Sequence, residues 1–375
     1  MQRSKFKATS LTLIGLSTAL MIVGFAPPGG VDRTAAAIPT IKNWGLVNTT
    51  AKSHIHALDA WKIEEGSRDV VVAVIDTGID SSHPNLQKNI WKDPNEKSQN
   101  VYGWNFVTNK ANPNDDHGHG THVAGIIGAI SDSSSGVSGV ARKVSIMGVK
   151  YYSEGNPGSV NLRNTVKAIN YAVDHGAKII NYSGGGPDFS EDEYLAIKRA
   201  EAAGVLFVAA AGNEHQDTDL VENYYYPSAY RLTNIISVAA TDINNNLLRS
   251  SNWGKSKVDV AAPGENIFST LPGGRYGYMS GTSQATAFVT GMAALLLAKD
   301  PTLKPTQIKE LILESVDRIP QLQGRVATNG RVNAYSALLA LQHRGDLKTK
   351  QGLLAQRPVN LINALSPASE ISNNP

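Results

Sequence analysis

Short apolar runs alternate with helical segments from about residue 70 onward, and this alternation constrains the fold more than any other feature. Val70 to Ile75 is an unbroken run of valine, alanine and isoleucine, which is typical of a strand buried on both faces. Further strands are predicted over residues 144–152, 178–182, 205–211, 235–240 and 258–262. Helices are predicted over residues 121–130, 162–175, 191–203, 284–298, 306–316 and 332–342. Such alternation predicts a three-layer α/β fold, with a mostly parallel sheet covered by helices on both faces.

The two ends of the chain differ from this middle region. A basic start precedes the uncharged, mostly apolar run from Leu11 to Ala26, which is shorter than the about 20 residues of a membrane-spanning helix. Residues 1–37 are therefore predicted to be a signal peptide and short leader, with an uncleaved anchor as the alternative. Residues 41–342 are predicted to form one large domain, and residues 343–375 a polar C-terminal tail.

The composition excludes several function classes. The 375 residues include no cysteine, which rules out a thiol nucleophile, a disulfide framework and cysteine-bound zinc. The formal net charge is only +3 and the basic residues are scattered, so no nucleic-acid partner is expected. We expect a secreted monomer, extracellular or periplasmic, with no stable membrane insertion once the signal peptide is removed.

Three glycine-rich turns beside apolar runs carry a carboxylate, an imidazole and a hydroxyl group. Asp76 ends the first predicted strand, His119 lies within the segment Asp116–Gly125, and Ser283 opens a predicted helix. In a parallel sheet, such positions gather beyond the carboxyl ends of the strands. A serine hydroxyl becomes a nucleophile when a base takes its proton, and a carboxylate can orient that base. Asp76, His119 and Ser283 are therefore candidate catalytic residues.

Asn213 follows a strand of small residues, Ala209–Ala211. Its side-chain amide could donate a hydrogen bond to an oxyanion and so stabilise the intermediate of acyl transfer. The structural alternatives are an N-cap for Ser283 and turn-forming roles for Asp76 and Asn213.

Two other histidines compete with His119 for the role of base. In the helical register after Gly120, His122 faces another direction, which favours a hydrogen-bonded structural role. His117 is interpreted as a surface residue or as a neighbour that supports the catalytic groups, and the carboxylates Asp115 and Asp116 as turn formers or solvated charges. The three histidines could instead hold a metal ion, although their spacing is not His-Glu-x-x-His and no glutamate follows to act as base. A metal-dependent hydrolase stays open as an alternative.

These segments resemble the subtilisin-like serine proteases, or subtilases. Val72–Ile79 matches the Asp motif of the family, His119–Gly125 its His motif, and Gly281–Thr286 its Ser motif. The chain order Asp, His, Ser is also that of subtilisin. The resemblance extends from about Trp44 to Ala334.

The resemblance implies a subtilisin-like peptidase domain over residues 41–342, built on a parallel sheet of about seven strands. It implies a serine endopeptidase that cleaves polypeptide substrates through an acyl-enzyme, with a catalytically idle, peptide-binding subtilase fold as the alternative. Many relatives carry an inhibitory N-terminal propeptide. Here the peptidase-like region begins near residue 40, so we expect the chain to fold without one.

The resemblance also implies how a peptide binds. The peptide would add as a strand bordered by Ser183-Gly184-Gly185 on one side and Gly158-Ser159 on the other. Ala210, Ala211 and Gly212 would form a wall of the pocket for the side chain that precedes the cleaved bond. The Tyr226–Pro227 bond is expected to be cis.

Two residues near this pocket predict opposite specificities. Tyr225 aligns with a small residue at the bottom of the family pocket, so it would shorten the pocket and favour small side chains. Glu214 at the rim would instead favour a basic side chain. Both interpretations stay open at the level of sequence.

No cofactor is expected to be required, but a structural calcium ion is an open alternative. Residues 130–137 occupy the place of a family calcium loop, in which Asp132 offers a carboxylate. The family's partner Asp aligns with Asn85, and fewer charged oxygens bind calcium more weakly.

Overall fold

The computed structural model describes residues 41–48, 50–96, 101–131 and 134–355, with side chains as far as residue 345. Its strands, in chain order, are β1 (Gly66–Asp76), β2 (Gly103–Asn105), β3 (Lys110–Ala111), β4 (Lys143–Lys150), β5 (Ile179–Tyr182), β6 (Leu206–Ala210), β7 (Ile235–Thr241), β8 (Val260–Pro263), β9 (Ile267–Leu271), β10 (Arg275–Met279), β11 (Asp317–Arg318) and β12 (Gly330–Arg331). Its helices are α1 (Ala57–Ala60), α2 (His119–Gly128), α3 (Gly158–Asp174), α4 (Glu191–Ala202), α5 (Thr282–Lys299), α6 (Pro305–Glu314) and α7 (Ala334–Ala355).

One sheet of ten strands forms the middle layer, in the order β11-β12-β8-β7-β6-β5-β1-β4-β2-β3. All neighbours from β12 to β2 are parallel, and only the outermost pairs, β11–β12 and β2–β3, are antiparallel. The predicted three-layer α/β fold with a mostly parallel sheet is confirmed. The expected number of about seven strands is wrong, because β3, β11 and β12 extend the edges as strands of two residues each. Such short strands have no sequence period by which to recognise them.

Strand β1 shows why both faces of the sheet are covered. Successive side chains of a strand point to opposite faces. Val72 and Val74 pack in the cluster that contains α2 and α5, whereas Ala73 and Ile75 pack in the cluster that contains α3 and α4. The run is apolar throughout because each face has its own helical layer.

Helix α5 lies inside the protein, and it brings Ser283 to the edge of the sheet. Every residue from Thr282 to Leu297 is buried, so the helix is apolar around its whole circumference rather than along one stripe. The helix packs against β1, β5, β6, β7 and β8. Gly291 allows it to approach Val140 closely, because a side chain there would collide with Val140.

Residue 343, where the sequence predicts the start of a polar tail, lies within a helix. Helix α7 continues past it to Ala355. Arg344 explains part of this continuation, because its guanidinium bridges Glu310 and Glu314 of α6 at 3.0 and 2.6 Å. The predicted signal peptide and the last part of the tail lie outside the described residues. Within the described ranges, none of the helices is long and apolar enough to cross a membrane.

Candidate active site

Asp76 and His119 meet where β1 ends and α2 begins. Nδ1 of His119 lies 2.8 Å from Oδ1 of Asp76, which also accepts a hydrogen bond from the backbone N–H of Thr77 at 2.7 Å. The side chain of Asp76 is only 3% exposed, whereas that of His119 is 20% exposed. A carboxylate can only accept hydrogen bonds, so Nδ1 of His119 carries a proton and Nε2 is left as the basic atom.

The protonation equilibrium of His119 reflects this pairing. Burial lowers the pKa of the imidazole, but the charge and hydrogen bond of Asp76, together with the charge of Asp115, raise it above its ordinary value. A histidine with this environment accepts a proton readily, and the resulting imidazolium is stabilised by the carboxylate.

The carboxylate of Asp115 holds the turn that carries His119. Oδ1 accepts hydrogen bonds from the hydroxyl of Thr77 and from the backbone N–H groups of His117 and Gly118, at 2.9, 3.0 and 2.8 Å. Oδ2 accepts from the backbone N–H and the hydroxyl of Thr121, at 2.9 and 2.6 Å. The sequence-based interpretation of Asp115 as a turn former is therefore incomplete, because this residue also joins the His turn to the Asp turn.

A glycine and a lysine complete the contact between the two turns. Gly120 is required where the turns touch, because a Cβ there would overlap the backbone oxygen of Gly78. The Lys150 ammonium is buried, and it donates to the backbone oxygen of Thr77 at 2.6 Å and to Asp116 at 2.7 Å. Sequence reasoning missed Lys150, although its position at the end of a parallel strand beside β1 was a usable signal.

His122 has a structural role, as predicted. Its Nε2 lies 3.0 Å from the backbone oxygen of Ile267 and 3.3 Å from that of Gly277, so it carries a proton and links α2 to the β9–β10 hairpin. Burial and the nearby His119 lower its pKa to about 3, so His122 is neutral at physiological pH. In the described ranges, no group of three or more His, Cys, Asp or Glu residues could hold a metal ion.

Ser283 and Asn213 meet at the first turn of α5. The Ser283 hydroxyl donates to the backbone oxygen of Ser183 at 3.2 Å, and its residue is 6% exposed. Oδ1 of Asn213 accepts from the backbone N–H of Thr282 at 2.9 Å and from the Thr282 hydroxyl at 3.2 Å. These two hydrogen bonds fix the orientation of the amide and leave Nδ2 of Asn213 as the available donor.

The segment Ser183-Gly184-Gly185 follows β5 and lies beside Ser283. The backbone N–H and C=O groups of Gly184 and Gly185 make no hydrogen bond with any other described residue. The next residue, Gly186, pairs with Tyr226 in both directions, at 3.0 and 2.8 Å. The Tyr226–Pro227 bond is cis, which confirms that prediction.

Gly158 and Ser159 are placed differently from the expected second border of the peptide. Both lie exposed in the first turn of α3, where the backbone is helical. A helical backbone cannot pair with an extended peptide as a strand does, so any border that Gly158 and Ser159 give to a bound peptide is made by the first turn of a helix. The helix begins four residues earlier than the apolar period predicts, directly after Pro157, because proline suits a position just before a helix.

Ala210, Ala211 and Gly212 form a buried wall at the end of β6, and Tyr225 packs against this wall. A Cβ on Gly212 would lie 3.0 Å from Cδ2 of Tyr225, and a Cβ on Gly185 would overlap Cε1 of the same ring. The ring of Tyr225 therefore lies between the two glycines.

The carboxylate of Glu214 is held by a neighbour. Oε2 of Glu214 accepts a hydrogen bond from Nδ2 of Asn252 at 2.6 Å, and the same amide group donates to the backbone oxygen of Ala211 at 2.9 Å. Oδ1 of Asn252 accepts from the backbone N–H groups of Glu214 and Gln216, at 3.1 and 2.9 Å. Asn252 thus fixes the chain on the far side of Gly212.

Asn85, one of the two residues proposed for calcium, makes hydrogen bonds with two neighbouring segments. Oδ1 of Asn85 accepts from the Tyr276 hydroxyl at 2.5 Å, and Nδ2 donates to the backbone oxygen of Ile130 at 2.6 Å. Asp132 lies outside the described residues. The amide of Asn85 thus links Ile130 to Tyr276 of the β9–β10 hairpin.

Comparisons with known proteins agree with this geometry. The model of the subtilase family, peptidase family S8, matches residues 67–342. Thermitase of Thermoactinomyces vulgaris is 39% identical over 284 residues, which are 76% of this chain and 93% of thermitase. Subtilisin E of Bacillus subtilis is 41% identical over 244 residues, which are 64% of this chain and 59% of that protein. The crystal structure of a cold-adapted subtilisin-like serine proteinase matches with a TM-score of 0.61 at 31% identity, covering 72% of this chain and 90% of that chain.

Proposed function

The chain belongs to the subtilase family and is a subtilisin-like serine protease, and we propose that Asp76, His119 and Ser283 are its catalytic triad. The observation that carries this proposal is the 2.8 Å contact between Nδ1 of His119 and Oδ1 of Asp76. It leaves Nε2 of His119 free of any hydrogen bond to another described residue, and so available to accept the Ser283 proton.

The reaction follows from these roles. Oγ of Ser283 attacks the peptide carbonyl carbon while Nε2 of His119 takes the hydroxyl proton. His119 then gives that proton to the leaving amine, which yields an acyl-enzyme and releases the first product. Water, activated by the same imidazole, attacks the acyl group and frees Ser283. In the resting enzyme Ser283 donates to Ser183, so the hydroxyl turns toward His119 when substrate binds.

Asn213 is proposed as the oxyanion donor. Thr282 holds Oδ1 of Asn213, and this leaves Nδ2 to donate to the carbonyl oxygen as it becomes negative. The first turn of α5 adds backbone N–H groups and the positive end of the helix dipole at the same place.

The peptide substrate is proposed to pair with Ser183-Gly184-Gly185. The unpaired backbone groups of Gly184 and Gly185 form an edge to which an extended peptide can add. Ala210, Ala211 and Gly212 would then face the side chain that precedes the cleaved bond. Gly158 and Ser159 could border the peptide only through the exposed first turn of α3.

The proposed mechanism assigns its catalytic roles to groups of the protein and requires no metal ion. Calcium, if it binds, would have a structural role, with Asp132 and Asn85 as the candidate ligands that the sequence offers. Addition of EDTA should therefore leave kcat/KM unchanged. Thermal unfolding measured with and without EDTA shows whether a structural ion stabilises the fold. A loss of kcat/KM in a protein that stays folded would contradict the metal-free mechanism.

Export is proposed from the N-terminal sequence, which lies outside the described residues. A basic start followed by the apolar run Leu11–Ala26 is typical of a signal peptide. Expression of the whole chain in an exporting bacterial host should give protein outside the cytoplasm, with a new N-terminus after Ala26 or Ala37. Retention of the run in a membrane fraction would favour the uncleaved anchor.

The acyl-enzyme step is tested by pre-steady-state hydrolysis of a p-nitrophenyl ester. A burst of p-nitrophenol equal to the enzyme concentration is expected for the parent, because acylation precedes slower deacylation. Ser283→Ala should abolish the burst, whereas Ser280→Ala, an exposed neighbour in the same turn, should retain it. A folded parent enzyme that binds peptides but shows neither burst nor turnover would favour the idle peptide-binding fold.

A further inference from the structure

The ring of Tyr225 fills the space between the two segments that border the reacting groups. It contacts Gly185 on one segment and Gly212 on the other, at positions where neither glycine could carry a side chain. The residue is half-buried, and its hydroxyl makes no hydrogen bond with another described residue. Tyr225 is therefore held by contacts of its aromatic ring and not by a hydrogen bond of its hydroxyl group.

This space lies where one particular substrate side chain must go. Ser283 touches Ser183, two residues before Gly185, and Asn213 directly follows Gly212. With the roles proposed above, a carbonyl group held between Oγ of Ser283 and Nδ2 of Asn213 lies between these two segments, and the side chain of its residue is assigned to the space between them. That residue is the one on the amino side of the cleaved bond.

We propose that Tyr225 plugs this pocket and restricts the residue before the cleaved bond to glycine, alanine or serine. This proposal rests on the catalytic roles of Ser283 and Asn213 proposed above. The ring already takes the volume that a leucine or phenylalanine side chain would need, and tightly packed groups do not yield such volume without strain. The small side chain would instead rest against the edge of the ring.

Glu214 does not convert the pocket into a site for basic residues. Oε2 of Glu214 is held by Asn252 beside Gly212, and the Tyr225 ring lies against the same glycine. Glu214 is exposed, so its carboxylate lies at the rim of the space that the ring fills and not at its base.

The proposal is tested with tetrapeptide p-nitroanilides that differ only in the last residue, which is alanine, leucine, phenylalanine or lysine. The parent enzyme should give the highest kcat/KM with alanine, at least about tenfold above phenylalanine. Tyr225→Ala should raise the ratio of phenylalanine to alanine by about 10- to 100-fold, because it restores an apolar pocket of ordinary depth.

Two further variants separate the ring from its surroundings. Tyr225→Phe should keep the preference of the parent, because the ring and not the hydroxyl fills the pocket. Tyr224→Ala removes the adjacent ring, which packs on the Lys257 ammonium at 4.3 Å, and should also leave the preference unchanged.

The outcomes are distinct. A parent enzyme that cleaves after phenylalanine, leucine or lysine at least as fast as after alanine overturns the proposal, and this result needs no variant to fold. An active Tyr225→Ala enzyme with an unchanged ratio overturns it as well. Labelling by a fluorophosphonate, which does not depend on the pocket, separates these results from a failure of the proposed function. A folded parent that is not labelled would overturn both.

Discussion

Nδ1 of His119 and Oδ1 of Asp76 lie 2.8 Å apart at the junction of β1 and α2. The Thr77 N–H donates to the same Oδ1 at 2.7 Å, so the carboxylate is held in one orientation. The pair is therefore preorganised. The free energy needed to orient the imidazole is supplied once, when the protein folds, and not again in each catalytic cycle.

The pairing predicts the acid limb of the pH profile. Protonated His119 cannot accept the Ser283 proton, so kcat/KM should rise with pH through the raised pKa of His119. Asp76→Asn removes the charge that raises this pKa. The acid limb of kcat/KM should therefore move to lower pH. The value of kcat/KM on the plateau should fall on the order of 10⁴-fold, because His119 loses its preferred tautomer. Asp69→Asn, at the exposed start of the same strand, is the control and should change neither the position of the acid limb nor the plateau of kcat/KM. An acid limb that stays in place in Asp76→Asn would refute the assignment.

The fixed amide of Asn213 predicts an effect on kcat rather than on KM. Asn213→Leu removes the donor at similar size, and kcat should fall about 10²–10³-fold, the loss known for the oxyanion asparagine of subtilisin, a relative of this chain. Thr282→Val removes only the weaker of the two hydrogen bonds that hold Oδ1, so its effect on kcat should be smaller. Steady-state kinetics on one peptide substrate measures both. A raised KM with unchanged kcat for Asn213→Leu would place Asn213 in substrate binding instead.

Asp115 is predicted to act as a positioning residue for His119. Asp115→Asn places an amide NH₂ opposite N–H or O–H donors, so about 1–3 kcal/mol of folding stability should be lost. The displaced turn should lower kcat by at least about tenfold, and loss of the Asp115 charge should lower the pKa of His119. The matched control is Asp188→Asn, on an exposed loop. A purely structural role for Asp115 would lower stability without moving the acid limb of kcat/KM, so the pH profile decides between the two.

Glu193 predicts how stability depends on pH. Burial raises the pKa of this carboxyl to about 7, against the opposing hydrogen bond from Tyr230 at 2.8 Å. Between about pH 4.5 and pH 7 the folded protein holds a proton that the unfolded chain has released, so the free energy of unfolding falls as pH rises. Glu193→Gln does not titrate, and above pH 7 it should be more stable than its parent by up to about 3 kcal/mol.

Denaturant unfolding across this pH range tests the prediction, with every protein in a Ser283→Ala background to prevent self-digestion. Glu191→Gln, an exposed position in the first turn of the same helix, is the control and should reproduce the pH dependence of the parent. A constant difference in unfolding free energy between Glu193→Gln and its parent, from pH 4.5 to pH 8, would show that Glu193 does not titrate as stated.

The sequence predicts the centre of the fold better than its edges. The run Val70–Ile75 is apolar because both faces of β1 are buried, and this physical cause is visible in the sequence itself. The β9–β10 hairpin was missed, although Gly273 and Gly274, which both have positive φ, connect two runs that pair in register. A glycine pair between such runs is a hairpin signal that could have been used.

The site shows the same limit. Asp76, His119, Asn213 and Ser283 are recognisable because each type of group has a defined chemical task. The function of Asp115 depends on two turns, residues 76–80 and 115–121, that are adjacent only in space. The helical backbone of Gly158 and Ser159 was also not predicted, because the apolar period places the start of this helix four residues later.

The most direct test of the central claim is reaction of the purified protein with a fluorophosphonate, followed by mass spectrometry of its peptides. The assignment of Ser283 as a nucleophile activated by His119 predicts one adduct per chain, on Ser283. The adduct should be lost in Ser283→Ala and formed far more slowly in His119→Ala. An adduct on another serine, or a folded and unmodified protein, would contradict the proposed triad.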